Sequence, residues 1–245
     1  MIKSFNKVLA AAVIAAAGLA ACASQGPTDN PVRRALTWDR YVGGDDLARA
    51  CAPSGQNGGQ PAKYRLVYNA RQDDQQRSYD ITALPDGGAM MEARVLGRGL
   101  LNNILISDPL RPWNGEQALY RLNPTEFAQL KQAITATGFE APAPKGSFLR
   151  GDTFYWAASA CREGNFHFNA WAWPSPEFDH MAVPLLRAVA PFDKTVEKPI
   201  EPYEVPLPPY GTMLSAGTEK GIKPVPHRYI VSDNGLRYSQ GILFN

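Results

Sequence analysis

Histidine and cysteine are scarce in this sequence, with three residues of each in a chain of 245. The histidines, His167, His180 and His227, lack the i, i+4 spacing that brings two imidazoles to one metal ion. Basic residues form no run longer than Arg33-Arg34, and the formal net charge is only +2. Because a nucleic-acid-binding surface needs clustered Lys and Arg to displace phosphate counterions, the sequence predicts no nucleic-acid partner. The spacing of the histidines likewise predicts no metal site.

Motifs that carry catalysis are also missing. The chain contains no G-x-S-x-G elbow, no G-x-x-x-x-G-K-[ST] loop, no H-E-x-x-H helix and no G-x-G-x-x-G turn. The acidic pairs Asp45-Asp46 and Asp73-Asp74 lie in polar stretches, where a carboxyl group lacks the burial that a general acid needs. We therefore predict no catalytic residues and no cofactor.

The chain does have the composition of a folded protein. It is 44% apolar, 10% aromatic and 20% charged, which excludes disorder as its main state. Its length is sufficient to bury a sizeable core.

The first 21 residues predict an export signal. Lys3 and Lys7 form a basic start, and residues 8–21 form an apolar run of 14 residues, which is too short to span a bilayer. The run Leu19-Ala20-Ala21-Cys22 resembles the lipobox of bacterial lipoproteins, in which the chain is cut before the cysteine and that cysteine is acylated. The resemblance implies attachment to a lipid bilayer through acylated Cys22. The alternative is an ordinary secretory signal, which leaves Cys22 as a thiol.

The remaining cysteines and the residue after Cys22 indicate the compartment. If Cys22 is acylated, Cys51 and Cys161 form an even pair in an oxidising compartment, and we expect a disulfide between them rather than two buried free thiols. In the lipoprotein family, Asp after the lipidated cysteine favours the inner membrane, so Ala23 implies the outer membrane, facing the periplasm. The eleven polar residues before Arg34 span about 20 Å and keep the body near the membrane.

Period-two alternation predicts most of the body to be strands. In residues 63–71, Tyr64, Leu66, Tyr68 and Ala70 share one face, as in a half-buried strand. Similar alternation predicts strands at 78–83 and 91–95 in an antiparallel meander, a short strand at 116–122, and a hairpin of 153–160 with 165–173.

Two helices are predicted among these strands. Asn123 and Glu126 form a capping pattern at the start of the first helix, which ends at Gly138. The second helix begins after Ser175, and Pro184 within it predicts a kink or a split into two short helices.

Together these elements predict an α+β fold: one antiparallel sheet of about six strands, two main helices packed on it, and a Pro-rich C-terminal extension ending in a hairpin. We assign residues 1–21 to a signal peptide, 22–33 to a lipidated tether, 34–196 to the α+β domain and 197–245 to the spacer and hairpin. The order of elements resembles uncharacterised secreted bacterial proteins, which implies no activity. The hairpin at Asp233-Asn234-Gly235 either packs back on the body or adds to a partner.

One strand predicts a binding face. His167, Asn169, Trp171 and Trp173 alternate onto one side of residues 165–173 and mix large aromatic rings with polar groups. Surfaces that bind a glycan or an envelope protein have this composition. The alternative is that the C-terminal tail or residues 97–115 cover the tryptophans, since exposed aromatic patches are rare on monomers.

Two functional hypotheses follow. The preferred one is a membrane-anchored envelope lipoprotein that acts as a non-enzymatic binding or assembly module. The alternative is a cell-envelope hydrolase with a site built from His167, Asp80 and Glu92 without a recognised motif. A buried polar cleft around His167 favours the hydrolase, whereas a flat aromatic face or an undocked tail favours binding.

Overall fold

The computed structural model describes residues 31–51, 61–71, 74–97, 115–202 and 228–238, and it has the predicted α+β architecture. The helices are α1 (Pro31–Gly43), α2 (Asp45–Ala50), α3 (Pro124–Ala136) and α4 (Pro176–Val189). The strands are β1 (Lys63–Ala70), β2 (Gln75–Ala83), β3 (Ala89–Leu96), β4 (Glu116–Leu122), β5 (Phe148–Arg150), β6 (Phe154–Arg162), β7 (Asn165–Ala172), β8 (Arg228–Ser232) and β9 (Gly235–Tyr238).

Six strands form one antiparallel sheet in the order β4-β3-β2-β1-β6-β7. Strands β1 to β4 follow one another as the predicted meander, and β6 returns to the other side of β1. The C-terminal hairpin of β8 and β9 pairs with β5 in a second sheet of three strands, in the order β5-β8-β9. The hairpin therefore packs back on the body, which is one of the two predicted alternatives.

One face of the large sheet is covered by α3 and α4, and we call it the α3–α4 side. The alternating residues of β1 that the sequence places inward lie here, and helix residues such as Phe127, Leu130 and Phe178 pack on them. At the centre, the Trp156 ring lies 4.8 Å from that of Tyr68, centroid to centroid. This is the main hydrophobic core, and it matches the two-helix packing that the sequence predicts.

The opposite face is covered by α1 and the small sheet, and we call it the α1–β9 side. Tyr41 from α1 and Tyr229 from β8 are buried there against Tyr155 of β6 and Phe168 of β7. Because this second layer covers β1 and β6 as well, both strands are buried on both faces. The hairpin thus completes a second core rather than extending away from the body.

Local signals in the two main helices act as expected, with one exception. Asn123 accepts a hydrogen bond from the Glu126 backbone N–H at 2.9 Å, and the Glu126 carboxylate accepts one from the Asn123 N–H at 2.8 Å. Pro184 lies inside α4 without splitting it, so of the predicted kink or split, the split does not occur. The helix continues because the residues after Pro184, Leu185 and Leu186, are anchored in the core.

Two boundaries differ from the predicted ones. Helix α1 begins at Pro31, inside the segment assigned to the tether, because its apolar residues recur at helical spacing and pack on the sheet. Residues 197–202, assigned to the spacer, contact the sheet: the Tyr68 hydroxyl donates to the Ile200 carbonyl at 2.7 Å. The signal peptide, Cys22, residues 98–114 and most of the predicted spacer lie outside the described residues.

Candidate functional site

The aromatic set predicted as a binding face lies on β7, on the α3–α4 side, and it is covered. Asn169 and Trp171 are only 2% and 6% exposed, and His167 and Trp173 are half-buried. A ring nitrogen of His167 lies 2.6 Å from the Phe139 carbonyl. The four residues therefore do not form the open face that their alternation predicts.

His167 and Asn169 are covered by residues 138–141, which follow α3. Gly138 adopts a left-handed conformation with φ of 72° and redirects the chain over β7. The Asn169 side-chain amide then donates to the Ala141 carbonyl at 3.0 Å and to the Phe139 carbonyl at 3.3 Å. These bonds satisfy carbonyl groups beyond the end of α3, so Asn169 has a structural role.

The residues of the hydrolase hypothesis do not come together. Asp80 of β2 and Glu92 of β3 are paired neighbours across the sheet. Asp80 bonds to the hydroxyl of Tyr41, a residue of the α1–β9 side, whereas His167 contacts Phe139 on the opposite side. The large sheet separates the imidazole from both carboxylates, so this set lacks the geometry for shared acid–base chemistry.

A buried polar site lies on the α1–β9 side, in a group that sequence reasoning missed. We define the Arg65 cluster as Tyr41, Asp46, Arg65 and Asp80, which lie on α1, α2, β1 and β2. Arg65 is 4% exposed, and its guanidinium binds both oxygens of Asp46, at 2.7 and 3.0 Å, and one oxygen of Asp80 at 2.7 Å. The Tyr41 hydroxyl donates to the other Asp80 oxygen at 2.5 Å.

The electrostatics of the Arg65 cluster keep Tyr41 and Arg65 each in one protonation state. Burial raises the pKa of Tyr41 well above its usual range, and the negative charge of Asp80 raises it further, against the opposing effect of Arg65. For Arg65 itself, burial acts to lower the pKa, but the negative charge of Asp80 and the hydrogen bonds to Asp46 raise it overall. Tyr41 therefore remains a hydrogen-bond donor, and Arg65 remains a cation.

The interactions of the Arg65 cluster link helices to the sheet. Its guanidinium also donates to the Tyr41 carbonyl at 3.0 Å and lies 3.7 Å from the centroid of the Tyr41 ring. The cluster thus holds α1 and α2 against the sheet. The sequence signal that would have found it is the pairing of Arg65 with Asp80 on neighbouring strands, where opposite charges attract.

The predicted disulfide between Cys51 and Cys161 is present. Its two Cα atoms lie 5.4 Å apart, although the residues are separated by 110 positions in the sequence. Both cysteines are buried, with Cys51 at the end of α2 and Cys161 near the end of β6. The bridge therefore fastens α2 to the same side of the sheet as the Arg65 cluster does.

Two further features bear on function. Within the described ranges, no group of three or more His, Cys, Asp and Glu side chains is arranged to hold a metal ion. The helices in the described part of the chain are too short or too polar to cross a membrane.

Comparison with known proteins does not identify a family for this chain. No protein-family model matches the chain, and no curated protein matches it significantly.

Proposed function

We propose that this protein is a lipid-anchored envelope lipoprotein, attached to the outer membrane through acylated Cys22 and facing the periplasm, where it acts as a non-enzymatic binding or assembly module. The observation that carries the proposal is the pairing of cysteines. The chain has three cysteines, and the bridge between Cys51 and Cys161 uses two of them. Cys22 remains, directly after an apolar leader and within the run Leu19-Ala20-Ala21-Cys22.

The position of the fold supports an anchor of this kind. Helix α1 begins at Pro31, nine residues after Cys22. Nine residues reach at most about 30 Å when fully extended, so acylation of Cys22 would hold the domain at the membrane surface. A disulfide also requires an oxidising compartment in most organisms, which agrees with a periplasmic location.

The open edge of β4 supports a binding role. This strand is last in the large sheet, and no described strand pairs with its outer side. Leu119, near its middle, is 65% exposed. An unpaired edge with a central apolar side chain can accept an extended segment of another protein by backbone hydrogen bonding. We therefore place the binding surface for an envelope protein at β4.

The anchor is tested by replacing Cys22 with Ser. We expect unprocessed precursor without acyl chains, measured by intact mass and by phase partitioning in detergent. The matched control is Ser24→Ala, which leaves the cysteine in place and should be processed and acylated normally. Normal processing and partitioning of the Cys22→Ser protein would refute the anchor.

The binding surface is tested with a photoreactive amino acid at position 119 in intact cell envelopes. We expect crosslinked adducts with one or a few proteins, and loss of those adducts when Gln117 and Arg121 are both changed to Pro, which removes two backbone donors from β4. The control places the same amino acid at Ala128, an exposed position on α3. Adducts of equal yield at both positions, or none at position 119, would contradict binding at this edge.

A further inference from the structure

The outward surface of the small sheet combines arginine with apolar side chains. Tyr229 and Val231 of β8 point inward and are buried, so the alternate residues of that strand point outward. Residues paired across neighbouring strands lie on the same side of a sheet. Phe148 of β5 and Arg237 of β9 both pair with Ile230, so they also point outward. We define the arginine face as Phe148, Arg228, Ile230 and Arg237.

The charged side chains of the small sheet's own strands are all basic. The three strands of the small sheet contain three arginines and no acidic residue. Arg150 is neutralised by an ion pair with Asp152. Among the described residues, neither Arg228 nor Arg237 has a carboxylate within ion-pair distance, and both are exposed. Within the described ranges, the arginine face therefore carries two positive charges that no carboxylate compensates.

Apolar groups lie beside these charges. Phe148 is 45% exposed, and the Arg228 guanidinium lies 4.7 Å from the centroid of its ring. Ile230, between Phe148 and Arg237 in the same row, is half-buried. An aromatic ring stacked with arginine suits the boundary between lipid headgroups and acyl chains, where rings and cationic side chains are both favoured.

The first described element, α1, lies in the same layer of the fold as the small sheet. Helix α1, the first described element, and the small sheet together cover the α1–β9 side, and α1 packs against β9 at Gly43 and Leu236. A tether from Cys22 therefore joins the protein in the layer that carries the arginine face, and not in the layer of α3 and α4. An anchor of nine residues holds this layer within reach of the bilayer.

We propose that the arginine face rests on anionic phospholipid headgroups, with Arg228 and Arg237 binding phosphate groups and Phe148 inserted at the interface. This inference rests on the proposed lipid anchor, which fixes the membrane that the face meets. Each arginine near an anionic surface strengthens attraction about fivefold, and the attraction extends over about one Debye length, roughly 10 Å at 0.1 M salt. The contact sets the orientation of the domain and leaves the edge of β4 free for a protein partner.

The test uses the acylated full-length protein with Phe148→Trp, reconstituted into vesicles of phosphatidylcholine brominated near the headgroup, with and without phosphatidylglycerol. Tryptophan keeps the stacking with Arg228 and reports contact with bromine by fluorescence quenching. We expect more quenching than in the unsubstituted protein, and only when phosphatidylglycerol is present. High salt, which shortens the Debye length to roughly 3 Å at 1 M, should abolish the difference.

Matched variants decide the outcome. Arg228→Gln with Arg237→Gln should abolish the quenching, whereas Arg187→Gln with Lys131→Gln, an equal loss of exposed charge elsewhere, should retain it. Ala128→Trp on α3 should not be quenched. Quenching that does not depend on phosphatidylglycerol, or that persists after Arg228 and Arg237 are both replaced, would overturn the proposal. Quenching that is stronger for Ala128→Trp than for Phe148→Trp would also overturn it. Intact mass reports acylation separately, so a missing acyl chain would refute the anchor without being read as a result for the arginine face.

Discussion

Arg77 and Asp193 form an ion pair inside the protein, with Arg77 Nη1 and Asp193 Oδ2 2.7 Å apart and the two side chains 1% and 6% exposed. Arg77 belongs to β2, and Asp193 follows α4. The same guanidinium donates to Thr195 Oγ1 at 3.0 Å, and the Tyr79 hydroxyl donates to Asp193 at 2.8 Å. This network fixes the chain after α4 to the sheet, and residues 197–202 continue from it along Gln75 and Tyr68.

The first prediction is that Arg77→Met strongly destabilises the protein. The substitution leaves the Asp193 carboxylate buried without its cation, which costs about 3–5 kcal/mol of unfolding free energy. Urea denaturation followed by circular dichroism measures it. The control is Arg121→Met, which removes an ion pair with Asp86 whose side chains are 63% and 50% exposed and which solvent screens, so the loss should be much smaller. Equal losses in the two variants would contradict the structural role of Arg77.

The second prediction concerns the C-terminal hairpin. A chain ending at Pro202 lacks β8 and β9 and uncovers the residues that Tyr229 and Val231 bury. At about 1.5–3 kcal/mol for each large buried side chain, the loss should be about 3–6 kcal/mol. Thermal unfolding measures it. A chain ending at Tyr238 is the control, because it keeps every described strand. If both truncated chains melt like the full protein, the hairpin does not complete the core.

Much of the fold could be predicted because local signals and tertiary contacts agree. The alternation in β1 fixes Tyr64, Leu66 and Tyr68 on the α3–α4 side, and the Asn123 capping box marks the start of α3. The disulfide was predicted by counting cysteines, on the expectation that the protein is exported. These features depend on neighbouring residues or on a small number of possible pairings.

The burial of the α1–β9 side of the sheet could not be predicted from such local signals. A strand with Arg65 and Asn69 on one face resembles one that is half exposed, yet both residues are buried, because α1 and the small sheet cover them. The covering elements come from the two ends of the chain, and local periodicity gives no information on where they dock. The same limit applies to β7, where residues 138–141 cover His167 and Asn169, two of the side chains that alternation suggested were a binding face.

The third prediction concerns the disulfide. Reduction, or Cys51→Ala with Cys161→Ala, should lower stability by up to about 4.7 kcal/mol, the chain-entropy value for a loop near 100 residues. Intact mass after alkylation in denaturant, without reductant, should show neither cysteine modified. Alkylation of both would mean that the bridge is absent in the isolated protein. Denaturation with and without reductant then gives the energetic effect.

The fourth prediction is that the hydroxyl of Tyr41 stabilises the protein at neutral pH and loses this effect in alkali. Tyr41→Phe removes the donor to Asp80, a hydrogen bond to a charged group that is worth about 1.5–3 kcal/mol. The stabilisation should weaken with rising pH because the folded protein holds the pKa of Tyr41 above the unfolded value of about 10. Above that value the unfolded chain releases the proton while the folded one retains it, so unfolding becomes more favourable.

The measurement is the difference in unfolding free energy between the unsubstituted protein and Tyr41→Phe, from urea titrations at pH values below and above about 10. Burial also raises the pKa of Tyr79 and Tyr155, so both proteins should lose stability in alkali, and only the difference between them reports on Tyr41. The difference should be constant below about pH 10 and decrease above it by up to about 1.4 kcal/mol per pH unit. A difference that does not change across this range would mean that the hydroxyl of Tyr41 titrates as it does in the unfolded chain, and that the Arg65 cluster does not hold its proton.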